Sequence, residues 1–245
     1  MKQAIITRAD ETVKEWAELT HPLFQQYAKK CRADFIVLSS PAPFLDLDNQ
    51  PHYRLLEVYR LLETYDRILH LDTDMIINKG CPNIFDLVPE NMVGSIYEDV
   101  GTRATDRQQR IGFIQSLWGD VGWKTGYTNA GTFLMSREHK NIFLPHENKY
   151  WVGTGTADLH MSYNIHKYDY KVFPLEYKWN HMTMFSEEWN NYADRFDSYI
   201  IHYAGRGVFE EGKISKEALS KHAMDTDRQS AKIEQAKLDY KRIYE

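Results

Sequence analysis

Cysteine is almost missing from this chain. Cys31 and Cys81 are the only two. They stand far apart, so they build neither a disulfide framework nor a cysteine metal site, and they suit a reducing compartment. Long apolar runs are also missing: no window approaches the roughly 18 residues that a membrane span requires. No charged-then-apolar leader precedes the first strand-like segment, so no signal peptide and a cytoplasmic location are expected. An excess of positive charge is lacking as well. Thirty Lys and Arg against 35 Asp and Glu leave a net charge of −5, which argues against nucleic acid as the main partner. There is no internal repeat and no low-complexity tract.

What the chain does contain is enough apolar material for one large core. Its 245 residues are 42% hydrophobic, and 16 Tyr, 11 Phe and 6 Trp leave aromatics to spare for a sugar-binding cleft. Gln3–Thr7 reads as a first strand, and Asp10 is placed to cap the helix after it, which His21-Pro22 is expected to interrupt. Asp34–Leu38 reads as a short buried strand, Ser39–Pro51 as a loop, and Tyr53–Thr64 as an amphipathic helix. A strand over Arg67–Ile77 and another over Asn91–Tyr97 continue the rhythm, which predicts a parallel α/β sheet. Asp99–Arg110 reads as a polar loop, Trp118–Gly131 as a glycine- and aromatic-rich loop, and Thr132–Met135 as a strand. Thr156–Lys167 reads as a helix, Ser198–Tyr203 as a last strand, and Lys213–Glu245 as a solvated helix pair.

The sharpest feature is R-I-L-H-L-D-T-D-M-I-I over Arg67–Ile77. In an extended chain residues i and i+2 face the same side, so Asp72 and Asp74 bring two carboxylates to one place at a strand end. Two such carboxylates repel unless a cation lies between them, and the carboxyl end of a strand in an open α/β sheet is where ligands bind. Exposed acidic turns are the ordinary explanation of a D-x-D, but these flanks are Ile68, Leu69, Leu71, Met75, Ile76 and Ile77. Unpaired carboxylates are costly in such surroundings. The pattern points to a divalent cation that holds a phosphate-bearing substrate.

Four segments in order resemble the retaining nucleotide-sugar glycosyltransferases of the glycogenin and lipopolysaccharide-galactosyltransferase type, glycosyltransferase family 8. They are Tyr53–Leu62 (Y-R-L-L-E-V-Y-R-L-L) with Asp66–Asp74 (D-R-I-L-H-L-D-T-D), and Thr128–Met135 (T-N-A-G-T-F-L-M). Then come Ala157–Asn164 (A-D-L-H-M-S-Y-N) with Pro174–Asn180 (P-L-E-Y-K-W-N), and Ile200–Gly205 (I-I-H-Y-A-G). The resemblance covers Gln3–Gly207. It implies a GT-A fold, an α/β Rossmann-like mixed, mostly parallel sheet flanked by helices. One domain is then expected over residues 1–210, with residues 211–245 as a C-terminal helical appendage.

The resemblance implies a UDP-sugar donor, a glycan or other hydroxyl acceptor, and Mn²⁺ or Mg²⁺ held by Asp72, Asp74 and His202. Two carboxylates and an imidazole suit a borderline ion such as Mn²⁺ better than Ca²⁺. A histidine on a buried strand is otherwise an ordinary core residue. Asn129 and Asp158 match residues that contact the donor sugar; the alternatives are a turn asparagine and a helix-capping aspartate. Arg54 matches a basic donor-binding residue, against an exposed helix arginine. Thr7, Arg8 and Asp10 fall where the family binds uridine, and Thr73 and Gly205 complete the D-x-D and H-x-x-G segments. The chain departs from the family twice. Val208 stands where a lysine clamps the diphosphate, leaving Arg206 as the nearby cation, and Asp158 is followed by Leu159 rather than glutamine. Two other chemistries stay open on the residues alone: a phosphatase using the D-x-D, and a non-catalytic carbohydrate-binding protein.

Overall fold

The computed structural model describes residues 1–39, 51–182, 192–205, 209–210, 213–214 and 226–245. Strand β1 (Gln3–Arg8) is followed by a short 3-10 turn, Glu11–Val13, and helix α1 (Lys14–Cys31). Strand β2 (Asp34–Leu38) comes next, and the 3-10 segment Pro51–Glu57 leads into α2 (Val58–Leu61). Strands β3 (Arg67–Leu71) and β4 (Met75–Ile77) precede α3 (Ile84–Leu87) and β5 (Val93–Tyr97). Helix α4 (Ala104–Trp118), strand β6 (Thr128–Ser136) and helix α5 (Thr156–Lys167) follow. Short strands β7 (Val172–Pro174), β8 (His181–Met182) and β9 (Ile200–His202) precede a C-terminal helix, Thr226–Tyr244.

Six strands form one mixed sheet in the order β2-β1-β3-β6-β5-β7. The pairs β1/β2, β1/β3 and β5/β7 are parallel, and β6 runs antiparallel to both of its neighbours. A second sheet, β4-β9-β8, sits beside it. Both faces of the large sheet are covered, and alternation decides which residue serves which face. Ile5, Leu69, Leu71 and Leu134 pack into the core with α1 and the C-terminal helix, while Ala4, Ile6, Ile68, Phe133 and Met135 pack into the core with α5. Two-sided burial explains why these strands read as continuous apolar runs.

Several expectations change. Helix α1 runs unbroken through Pro22. A mid-helix proline costs about 3 kcal/mol, and burying Trp16, Leu23, Phe24 and Tyr27 returns about 1.5–3 kcal/mol each. Strand β2 is half-buried because it lies at the sheet edge. The Tyr53–Thr64 segment is a 3-10 stretch with one α turn, and Leu55, Leu56, Val58 and Leu62 are still buried. Asp99–Arg110 is largely helical, a 3-10 turn at Gly101–Arg103 running into α4. The predicted loop over Ser39–Pro51 falls mainly on residues outside the described ones.

The C-terminal segment is less exposed than its polar sequence suggests. Lys213–Ile214 pairs with Phe209–Glu210 as a small antiparallel hairpin, and Thr226–Tyr244 buries Ile233, Ala236, Lys232 and Asp239. Arg195 donates two bonds to Asp239, Nε to Oδ2 at 2.7 Å and Nη2 to Oδ1 at 2.9 Å, and the Tyr203 hydroxyl donates to Asp239 at 2.6 Å. Removing one member of a buried ion pair strands the other charge. Arg195→Leu should therefore cost about 3 kcal/mol and lower Tm by about 6–12 °C, read by thermal and urea unfolding. An unchanged midpoint would contradict the packing of this helix. No described helix is long and apolar enough to cross a membrane.

Candidate functional site

The site lies where the chain passes from one sheet to the other. Strand β3 ends at Leu71 in the large sheet and β4 begins at Met75 in the small one, so Asp72, Thr73 and Asp74 form a bend rather than a continuous strand. This corrects the reason given for the two carboxylates converging: they meet because the backbone turns, not because i and i+2 share a strand face. Both ends of the bend are tied. The Asp72 amide donates to the Gly131 carbonyl at 2.9 Å, and the Tyr203 amide donates to the Asp74 carbonyl at 3.0 Å. In the small sheet Met75 pairs with His202 on one side of β9, and Met182 pairs with it on the other. That register sets His202 directly beside the bend.

The result is a compact donor set. His202 Nε2 lies 3.2 Å from Asp74 Oδ1 and 3.7 Å from Asp72 Oδ2, and one ligand atom from each of the three residues lies within 4.8 Å of the others. Arg8, at the end of β1, pairs with Asp72 through its guanidinium. Burial would raise the Asp72 carboxyl, but Arg8, His70 and His202 together hold it well below the usual carboxylate range. Asp74 is likewise held low against burial by His202 and, more weakly, Lys232. For His202 burial favours the neutral ring, and the facing Asp74 and Asp72 outweigh it, raising its pKa.

His70 adds an observation that bears on the metal. Its Nδ1 donates to the Ala130 carbonyl at 2.6 Å, and burial lowers its pKa to about 4. Its Nε2, left as an acceptor, has no hydrogen-bond partner and lies 3.9 Å from Asp72 Oδ1. Two carboxylates from the bend and the His202 imidazole from β9 converge, with the His70 lone pair beside Asp72 alone. The set is rich in hard oxygen with one borderline nitrogen, and it fits a divalent ion of the Mn²⁺ or Mg²⁺ kind.

The other predicted site residues divide. Thr7 is buried at the end of β1, 3.1 Å from the Thr73 hydroxyl, and Thr73 donates to the Arg8 carbonyl. These two hydroxyls join β1 to the bend. Asp10 caps the Glu11–Val13 turn by accepting from the Thr12 amide at 2.9 Å. Gly205 takes a left-handed backbone (φ 67°), and its carbonyl accepts from Lys232 Nζ at 3.2 Å. Arg54 lies on the 3-10 segment with its side chain outside the described residues, and Arg206 and Val208 lie outside them as well.

Asp158 sits in the first turn of α5, yet the helix N-cap is Gly155, with no side-chain cap bond. The Asp158 carboxylate instead reaches across to β6 and accepts from the Ala130 amide at 3.1 Å. Burial, then Glu98 and Asp72, push its pKa up to about 7. Asn129 is buried, and its amide oxygen is doubly occupied. Its Oδ1 accepts from the Gly131 amide at 2.8 Å and from Asn180 Nδ2 at 2.7 Å, and its Nδ2 donates to Glu98.

Sequence reasoning gave no role to Glu98, Arg103, Arg107, Asn180 or Lys232. Glu98 is buried at the end of β5, where Arg103 Nη1 (2.9 Å) and Arg107 Nε (2.7 Å) donate to its Oε2. Lys232 donates to the Tyr203 carbonyl at 2.8 Å from behind the His202–Gly205 segment. Asn180 stood in the quoted P-L-E-Y-K-W-N segment, the one available signal.

Gly131 shows how closely the parts fit. A Cβ there would lie 2.8 Å from Asn129 Oδ1, 2.8 Å from His202 Cε1 and 3.0 Å from His202 Nδ1. Gly131→Ala should displace the imidazole and weaken Mn²⁺ binding by about tenfold or more, read by electron paramagnetic resonance of free Mn²⁺. Wild-type affinity in this variant would mean that His202 is not held where the structure places it.

No family model matches the chain, and no curated protein does. Solved structures match at low identity. A glycosyltransferase involved in glycosylating the major capsid of PBCV-1 is 13% identical over 84% of this chain and 96% of its own, with a TM-score of 0.54. The galactosyltransferase LgtC, in complex with donor and acceptor sugar analogues, is 14% identical over 94% and 95%, with a TM-score of 0.51. The bifunctional glycosyltransferase WbbM is 16% identical over 83% of this chain and 46% of its own, with a TM-score of 0.58. At these identities the likeness is one of architecture: a six-stranded mixed sheet flanked by helices, the GT-A fold of these glycosyltransferases, is the fold of this chain.

Proposed function

We propose that the protein is a metal-dependent glycosyltransferase that moves a sugar from a nucleotide diphosphate, UDP above all, to a hydroxyl on a glycan or similar acceptor, with retention of anomeric configuration. One observation carries the reading: Asp72, Asp74 and His202 converge at the junction of the two sheets of a GT-A fold. When bound, a divalent ion supplies positive charge to the departing nucleoside diphosphate, whose negative charge is the chief obstacle to breaking the sugar–phosphate bond.

The residues around that position have distinct tasks. Asp72, Asp74 and His202 are the ligands. Arg8 offsets the Asp72 charge, keeping the bend from flying apart before the ion arrives. Thr7 and Arg8, at the end of β1, and Asp10, just after it, are assigned to the nucleoside, and Arg54, Gly205 and Arg206 to the diphosphate. Asp158 faces the sugar and stabilises positive charge developing at the anomeric carbon. The leaving phosphate takes the acceptor proton on the same face, which accounts for retention without a dedicated enzymic base.

The test is a screen of nucleotide sugars for hydrolysis and transfer, with Mn²⁺ and with chelator. Turnover of a UDP-sugar that stops on chelation and returns with Mn²⁺ is expected. Turnover indifferent to chelation would contradict the metal role, and no turnover of any nucleotide sugar would contradict the reading as a whole.

A further inference from the structure

Behind the metal ligand set lies a chain of buried amides that has a direction. Glu98 begins it. Burial alone would raise its pKa, but Arg103 and Arg107 outweigh burial and hold it low. An ionised carboxylate only accepts, so Asn129 turns its NH₂ toward Glu98. That leaves Asn129 Oδ1 on the opposite side, and the Gly131 amide, which only donates, fixes the same orientation independently at 2.8 Å. Asn129 Oδ1 requires a donor from its other neighbour, so Asn180 presents its NH₂ at 2.7 Å. Asn180 Oδ1 is then left facing His202 Nδ1 at 2.7 Å. The carbonyl oxygen of an amide only accepts, so His202 donates from Nδ1, and its Nε2 is the nitrogen that faces Asp72 and Asp74.

We propose that Asn180 and Asn129, anchored on Glu98, are positioning residues that hold His202 in the tautomer whose Nε2 lone pair serves the metal. The inference rests on the proposed metal-dependent reading of the site. It gives Asn129 a task besides touching the donor sugar: its Oδ1 has both acceptor positions filled, and one of its two N–H donors goes to Glu98. It also ties helix α4 to the metal: Arg103 and Arg107 fix the carboxylate that sets the direction of every bond down to His202. All four linked residues are buried, with Asn180 fully so and Glu98 and His202 at 3% exposure. Water therefore has little access to replace a missing link, and a break should be felt at the ligand.

The experiment compares Mn²⁺ binding by the wild-type chain, Asn180→Ala and Asn180→Asp, using electron paramagnetic resonance of free Mn²⁺, with thermal melts alongside. Asn180→Ala removes the acceptor for Nδ1–H and should weaken Mn²⁺ by about ten- to hundredfold. Asn180→Asp keeps an acceptor there and should recover most of that loss, although a second buried carboxylate beside Asn129 is the worse change for packing. A purely structural role predicts the reverse order. Equal Mn²⁺ affinity in wild type and Asn180→Ala overturns the inference while leaving the metal reading intact; no Mn²⁺ binding by the wild type overturns the metal reading itself. Should Asn180→Asp fail to fold, the tautomer is read directly. Long-range ¹H–¹⁵N spectra of the ¹⁵N-histidine wild-type chain with Mg²⁺, with the His202 signal assigned through His202→Gln, should show a protonated Nδ1 and a bare Nε2. A protonated Nε2 with a bare Nδ1 overturns the proposal.

Discussion

Asp74→Asn should bring sugar transfer to about a thousandth of the wild-type rate or less, at saturating Mn²⁺, without unfolding the protein. The variant keeps the shape of the side chain and removes one ligand charge. A bound metal ion contributes several kcal/mol of stabilisation to a developing oxyanion, and 4 kcal/mol is about a thousandfold in rate. Stability has opposing contributions, the largest being burial of the charge, which raises the Asp74 pKa and which asparagine does not suffer. The substitution relieves repulsion from Asp72, which raises the Asp74 pKa, and it loses the attraction of His202 at 3.2 Å, which lowers it. The melting temperature of the metal-free protein should therefore stay within about 3 °C of wild type. Near-normal turnover would remove the metal from the mechanism. A collapse of the fold would mean that the ion pair is structural first.

Asp158→Asn should separate catalysis from stability in opposite directions. Transition-state charge at the anomeric carbon should sense the lost carboxylate by about 3 kcal/mol, a hundredfold or more in kcat. UDP carries no sugar, so its affinity should be unchanged. The metal-free variant should also be the more stable protein above neutral pH. Burial, Glu98 and Asp72 raise the Asp158 pKa to about 7 from the ordinary aspartate value of 3.8. Between those two values the folded state holds a proton that the unfolded state has released, so this group's contribution to stability falls as pH rises from about 4 to about 7 and stays low above it. Asparagine carries no such cost. The gain in Tm on substitution should be negligible near pH 4 and reach about 3 °C or more at pH 8. A variant with unchanged kcat would leave Asp158 only its bond to the Ala130 amide.

The contrast between what the sequence made readable and what it hid has a physical cause. Strand β1 was legible as an apolar run and helix α5 by its apolar period, placed over its observed range, Thr156–Lys167. Strand β6 was legible only over Thr132–Met135, because its first half, Thr128–Gly131, is polar and glycine-containing and was read as part of a loop. The D-x-D and H-x-x-G segments were legible because carboxylates and a histidine inside apolar flanks are costly without a partner. Helix α4 was read as a loop because its inward face begins with Arg107 rather than an aliphatic residue, and that arginine is buried only because Glu98 meets it from β5. Asn180 has only its place in the P-L-E-Y-K-W-N segment as a signal, and Lys232 has none. Their value comes from register and from long-range packing: His202 lies between β4 and β8, and the C-terminal helix folds back behind Tyr203 and Gly205. Nor could the sequence show that β3 and β4 belong to different sheets, since Arg67–Ile77 reads equally well as one strand with an acidic interruption.

The most direct measurement is a crystal structure of the protein with UDP and Mn²⁺, with the metal located by its anomalous scattering. The account predicts one peak bonded to carboxylate oxygens of Asp72 and Asp74 and to Nε2 of His202, at about 2.0–2.3 Å, with the UDP diphosphate completing the shell. A peak elsewhere, or UDP bound with His202 Nε2 more than about 5 Å from the metal, would contradict it.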